Sequence, residues 1–127
     1  MEYQILIEKY KSIQLVHTIL SGQMDELSRD KIALETVNVM RKENISDVIW
    51  DIREIKLQYS LLKSHLVVIN IANLGFLPAD HLAVVYLNDT EQHQHASNVA
   101  ANRFHNIRYF YNNLDEAREW LSSFYNR

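Results

Sequence analysis

Asp51 and Arg53 stand two residues apart in "SDVIWDIREI", residues 46–55, where an apolar run stops on a carboxylate. Residues two apart on a strand leave the same face, so this pair can meet as an ion pair or present both charges to one ligand. Asn88 and Asp89 end a second apolar run, "HLAVVYLND", in the same way, and Ser60 opens the stretch between the two. If both runs are parallel strands, the five residues gather outside the carboxyl ends, where open α/β sheets hold their ligands. Asp51, Arg53, Ser60, Asn88 and Asp89 are therefore the candidate ligand or partner contacts. Structural roles compete with that reading. Asp51 can cap N–H groups of the following loop while Arg53 neutralises it, and Ser60 can serve as a helix N-cap.

Other chemistry finds little support. His93 and His95 form an H-x-H, but on a helix they lie about 200° apart and cannot share a metal. On a loop they could, with Glu91 or His81 completing the set. No HExxH pair, phosphate-cradling loop, dinucleotide glycine fingerprint or G-x-S-x-G elbow occurs. His17 and His65 sit within apolar patterns and read as hydrogen-bonded core or edge residues. There are no cysteines, which removes disulfides, thiolate metal sites and cysteine nucleophiles. The expectation is a non-enzymatic protein with no metal and no cofactor.

Composition bounds the class. The 127 residues suffice for one domain, spanning 1–127, with a real core. A formal charge of −3 provides no basic footprint for nucleic acid. No stretch approaches the roughly 18 apolar residues of a membrane span. The opening segment "MEYQILIEKYKS" alternates and carries Glu2 and Glu8, so no secretory signal is expected there. A cytoplasmic location is the default expectation.

Periodicity then supplies the elements that must position the candidate residues. "YQILIEK" and "SIQLVHTIL" alternate and predict an antiparallel strand pair. Ser21-Gly22 breaks the strand pattern, and Asp25 is the expected N-cap of a helix reaching Glu43. Leu27, Ala33, Leu34, Val37 and Met40 share an arc of about 140° and form its expected core stripe. Val48, Ile49 and Trp50 are apolar on both faces, as in a central strand covered from both sides. "SLLKSHLVVINIANLGF" carries β-branched residues that favour a strand, but its length and Gly75 as a stop predict a helix. "HLAVVYLND" is the next strand, "DTEQHQHASNVAANRF" a helix, and "NIRYFYN" a short strand. "NLDEAREWLSSFY" closes the chain as a helix with Asn113 as N-cap and Glu116 completing a capping box. Leu114, Ala117, Leu121 and Phe124 form its expected buried stripe. The predicted fold class is α/β, a five-stranded mixed sheet with about four helices.

Three of these stretches carry a resemblance. "VIWDIREI", "HLAVVYLND" and "NIRYFYNNLDEAREWL", with Ser21-Gly22 before the first helix, resemble the STAS domains (sulfate transporter and anti-sigma-factor antagonist). The likeness is to their SpoIIAA-like branch of stand-alone bacterial proteins, and it covers almost the whole chain. It implies a SpoIIAA-like fold, no catalytic apparatus, and a binding or regulatory role exercised through a protein partner, with a homodimer as another form of association. In relatives of this kind a serine after the central strand is phosphorylated within Asp-Ser-Ser-Gly. The corresponding stretch here is "QYSLL", which puts Ser60 near the switch position without the flanking aspartate and glycine. A second implication, by distant likeness to lipid-exchange domains, is a carrier or sensor of a small apolar or lipid-like ligand. The apolar excess around Leu61 to Phe76 is its sequence support.

Overall fold

The computed structural model describes residues 2–57, 74–88 and 106–125. Strands β1 (Glu2–Tyr10), β2 (Ile13–Met24), β3 (Asp47–Leu57), β4 (His81–Tyr86) and β5 (Ile107–Tyr111) form one sheet in the order β1-β2-β3-β4-β5. β1 and β2 pair antiparallel around the Lys11–Ser12 turn, and every later neighbour is parallel. Helix α1 (Glu26–Glu43) joins β2 to β3, and helix α2 (Leu114–Ser123) follows β5. The helices expected over 60–75 and 89–104 lie outside the described residues, apart from a turn at Leu74 and Gly75.

Alternation along the strands divides the core into two layers. Val16, Leu20, Val48, Ile52 and Val84 pack under α1 against Ile32, Ala33, Val37 and Met40. Leu15, Ile49, Ala83, Val85 and Phe110 pack on the other face against Ala117 and Leu121 of α2. β3 is thus covered on both sides, as its doubly apolar run requires.

Both helices start where side-chain oxygens can satisfy their free N–H groups. Asp25 accepts from the Ser28 N–H at 2.8 Å, and Asn113 accepts from the Glu116 N–H at 2.9 Å. The Asn113 amide also donates to the Glu116 carboxylate at 3.1 Å, completing the expected capping box. α1 ends on Asn44 in the left-handed conformation, which asparagine tolerates better than most residues.

Three expectations need correction. Leu27 and Leu34 are exposed, whereas Ile32 is buried. The buried face of α1 runs through Arg29, Ile32, Ala33, Thr36, Val37 and Met40. Thr36 belongs there because its hydroxyl bonds the Ile32 carbonyl at 2.9 Å and the Thr18 hydroxyl at 2.9 Å. A satisfied hydroxyl can be buried at little cost, so polarity hid the stripe. Ser21-Gly22 does not end β2 either. With φ of 99° at Gly22, the strand continues to Met24 alongside Glu54 to Leu57. Finally, β3 runs six residues beyond Asp51, to Leu57, so Asp51 lies inside the strand.

Gly75 holds a φ of 100°, and a Cβ placed there would meet Val37 Cγ1 at 2.9 Å. Both conformation and contact oppose a side chain at this turn. Gly75→Ala is expected to cost about 1 to 3 kcal/mol, read as a lowered urea midpoint. An unchanged midpoint would show that the turn relaxes freely.

Candidate functional site

A register shift follows Asp51 on β3. Ile19 faces Asp51, but Ser21 faces Glu54, so β3 carries one more residue than β2 between these pairs. Such a bulge bends the strand and re-aims its side chains. Asp51 is also the last residue of β3 that pairs with β4, opposite Val85. Beyond it, the Asn88 amide reaches across and donates to the carbonyls of Arg53 and Ile55 at 3.4 and 3.3 Å. Asn88 thus extends a ladder that the backbone of β4 has left.

The Asp51 carboxylate is 3% exposed. It accepts from Arg53 Nε at 3.0 Å and Arg53 Nη2 at 2.9 Å, a two-pronged guanidinium contact. The Arg53 N–H approaches the same carboxylate at 3.4 Å, and His17 Nε2 lies 3.0 Å from its second oxygen. Burial pushes this carboxyl group up, but the hydrogen bonds from His17 and Arg53 and the guanidinium charge outweigh it, holding it at about 2. Asp51 is therefore ionised across the physiological range, with its oxygens occupied. A carboxylate so acidic and so enclosed is a poor general base.

His17 carries the network outward. An ionised Asp51 can only accept, so Nε2 bears the hydrogen between them. The opposite nitrogen, Nδ1, faces Glu8 Oε1 at 3.4 Å, and both atoms are shielded from solvent without a hydrogen bond among the described residues. The other Glu8 oxygen accepts from Arg118 Nη2 of α2 at 3.0 Å. The chain of contacts Arg118–Glu8–His17–Asp51–Arg53 thus crosses α2, β1, β2 and β3.

A second buried carboxylate lies at the amino end of β3. Asp47 accepts from His81 Nδ1 at 2.8 Å and from the Tyr125 hydroxyl at 2.8 Å. Burial, then the Asp47 hydrogen bond and charge, push the Tyr125 phenol up to about 12. The His81 ring lies flat on Phe124, with centroids 3.7 Å apart, and meets Trp120 edge-on. The expected stripe of α2 therefore holds at Ala117 and Leu121, while Phe124 covers His81 rather than entering the core.

Of the five candidates, Asp51, Arg53 and Asn88 are brought together, around the bulge. Ser60 and Asp89 lie outside the described residues, as do Glu91, His93 and His95. Among the described residues no group of histidines and acids could hold a metal ion. No helix there is long and apolar enough to cross a membrane. Glu8 and Arg118 were not foreseen as partners of the site. Glu8, on an alternating strand, carries no local sign of a contact with a helix residue 110 positions away.

Comparison with known proteins bears on the fold. No protein-family model matches the sequence, and no curated protein does. Solved structures match over nearly the full chain. An anti-sigma factor antagonist from Mycobacterium paratuberculosis is 15% identical, with 94% of each chain covered and a TM-score of 0.56. An uncharacterised protein with a SpoIIAA-like fold from Shewanella loihica is 14% identical, with 94% of this chain and 93% of that one covered and a TM-score of 0.58. The anti-sigma factor antagonist SpoIIAA in its unphosphorylated form is 13% identical, with 96% of each chain covered and a TM-score of 0.52.

The occupied carboxylate makes a stability prediction. An unfolded aspartate titrates near 3.9, so the depressed folded value contributes about 2 to 3 kcal/mol. The sign follows from the direction: the contribution is complete above about pH 4 and is lost as pH falls toward 2. Asp51→Asn should lower the urea midpoint at pH 7 by most of that amount and flatten the acid limb. Arg53 is partly exposed, so Arg53→Ala should cost less, about 1 kcal/mol. A raised midpoint in Asp51→Asn would instead mark Asp51 as a ligand-binding group held at the expense of stability.

Proposed function

Starting from the SpoIIAA-like (STAS) fold that the chain shares with these structures, we propose that it is a non-catalytic regulatory module acting through a protein partner. Two of the fold neighbours are anti-sigma factor antagonists, proteins named for their action on another protein. The observation that carries the reading is the rim at the carboxyl ends of the strands. There Asp51 of β3 is buried and paired with Arg53, while large apolar side chains of the neighbouring elements face outward. Leu27, in the first turn of α1 after β2, is 85% exposed. Tyr111 at the end of β5 is 58% exposed, and Leu87 follows β4 on the surface. A large apolar side chain held so fully in water on a rigid helix start suits burial against a partner.

In the sequence Ser60 and Asp89 come three residues after the last residues of β3 and β4, Leu57 and Tyr86. They are retained as proposed partner contacts, with Ser60 as the residue whose phosphorylation would add negative charge. The residues that would line an apolar ligand cavity, Leu61, Val67 and Ile71, lie outside the described residues, and nothing else favours a lipid-like cargo.

The test is cross-linked capture of the tagged chain in its own cells. A partner should be recovered with the native chain and with Leu77→Ser, an exposed position before β4 at the opposite end of the sheet. Leu27→Ser and Tyr111→Ser should each reduce recovery roughly tenfold, with circular dichroism unchanged, as truncation at an interface centre does. Recovery indifferent to both rim substitutions would overturn the reading.

A further inference from the structure

β1 forms one edge of the sheet, and among the described residues only β2 pairs with it. It is long and regular, its register with β2 unbroken from Glu2 to Tyr10, with no proline and no bulge. Proteins usually blunt such edges by shortening, bulging or charging them. Here the charges Glu2, Glu8 and Lys9 sit toward the two ends of the strand, and its centre exposes apolar side chains on both faces. Leu6 is 42% exposed on the α2 side, and on the α1 side Ile7 is 47% and Tyr3 38% exposed. Tyr10 and Ile13 close a two-residue turn, so their peptide groups face each other. Alternation then turns the N–H and C=O groups of Tyr3, Ile5, Ile7 and Lys9 toward the open edge.

We propose that this edge binds the β1 of a second copy, antiparallel and centred on Leu6, joining two five-stranded sheets into one. A two-fold axis normal to the sheet keeps each residue on its own face, so only registers centred on a residue are allowed. Centring on Ile5 sets Glu2 against Glu8, two like charges. Centring on Ile7 sets Glu8 against Leu6, a charge on an apolar group. Centring on Leu6 avoids both: Leu6 meets Leu6, Ile5 meets Ile7, Gln4 meets Glu8, and Tyr3 meets Lys9. The charges also complement one another. Tyr3 donates to Glu35 at 2.6 Å, so Lys9 of the second copy arrives beside an aromatic ring and a carboxylate. Glu2 arrives against Tyr10, beside Lys11, which is shared with Glu119 at 2.7 Å. Both pairings occur twice by symmetry.

The absence of cysteine from the chain makes the register directly testable. Facing residues of a pair without main-chain hydrogen bonds have Cα atoms about 4.5 Å apart, within the disulfide range. Leu6→Cys should therefore form a disulfide-linked dimer under mild oxidation, and Leu34→Cys on the exposed face of α1 should not. The native chain should sediment as a dimer at roughly 100 µM and dissociate on dilution. Leu6→Lys should sediment as a monomer with its melting curve retained. A native chain monomeric throughout, equal cross-linking at positions 6 and 34, or a dimeric Leu6→Lys would each overturn the proposal. If Leu6→Lys does not fold, the paired cysteine variants decide alone.

Discussion

A carboxylate inside a sheet is the constraint on which the rest of this molecule turns. An ionised group without partners in the interior costs several kcal/mol, so Asp51 is tolerable only if every side of it is supplied with donors. Strand alternation sets Arg53 on the same face, where it is a two-pronged donor. His17, across the ladder on β2, supplies the next hydrogen bond. Each donor then needs an environment of its own, and the requirement spreads to Glu8 of β1 and Arg118 of α2. Local charge balance thus ties the hairpin and the last helix, the two ends of the chain, to its middle strand.

The face of β3 beneath α2 reads Asp47, Ile49, Asp51, a carboxylate on either side of an apolar residue. Ile49 joins the core under Ala117 and Leu121, while the two acids anchor polar contacts on either side of that core. At the amino end, Asp47 receives Tyr125 from the turn after α2, and His81 is stacked beneath Phe124. Apolar packing of α2 is non-directional and would allow the helix to slide or rotate. Hydrogen bonds at two separated points remove that freedom. On the α1 side, among the described residues, polar contacts include the buried Thr18–Thr36 pair and Arg41 with Asp80.

Much of this was legible locally. Asp25, Asn113 and Glu116 cap helices through contacts within three residues, which sequence spacing states directly. Val48 and Ile49 marked a strand buried on both faces because both parities are apolar. The misreadings came where a long-range partner decided the outcome. Thr36 looks like a surface residue until Thr18 answers its hydroxyl, and without it the α1 stripe rotates toward Leu27 and Leu34. Asp51 looks like the end of a strand because charge usually marks the exit from a core. Only the donors of His17 and Arg53 allow β3 to continue past it to Leu57. Asp51 and Arg53 do meet as an ion pair, within the strand rather than at its end. The expected strand-end pocket loses Asp51, whose oxygens already have partners.

The consequence for function is a separation of roles. Asp51 and Arg53 satisfy each other within the molecule, and the proposed recognition surfaces are apolar: the rim around Leu27 and Tyr111, and the edge at Leu6 and Ile7. These two surfaces do not compete. The rim lies along the carboxyl ends of the parallel strands, whereas the edge runs along the side of the sheet. Antiparallel pairing of two β1 strands also reverses the direction of every strand in the second sheet relative to the first. The two rims then point to opposite ends of the joined sheet, and each remains open to a partner of its own.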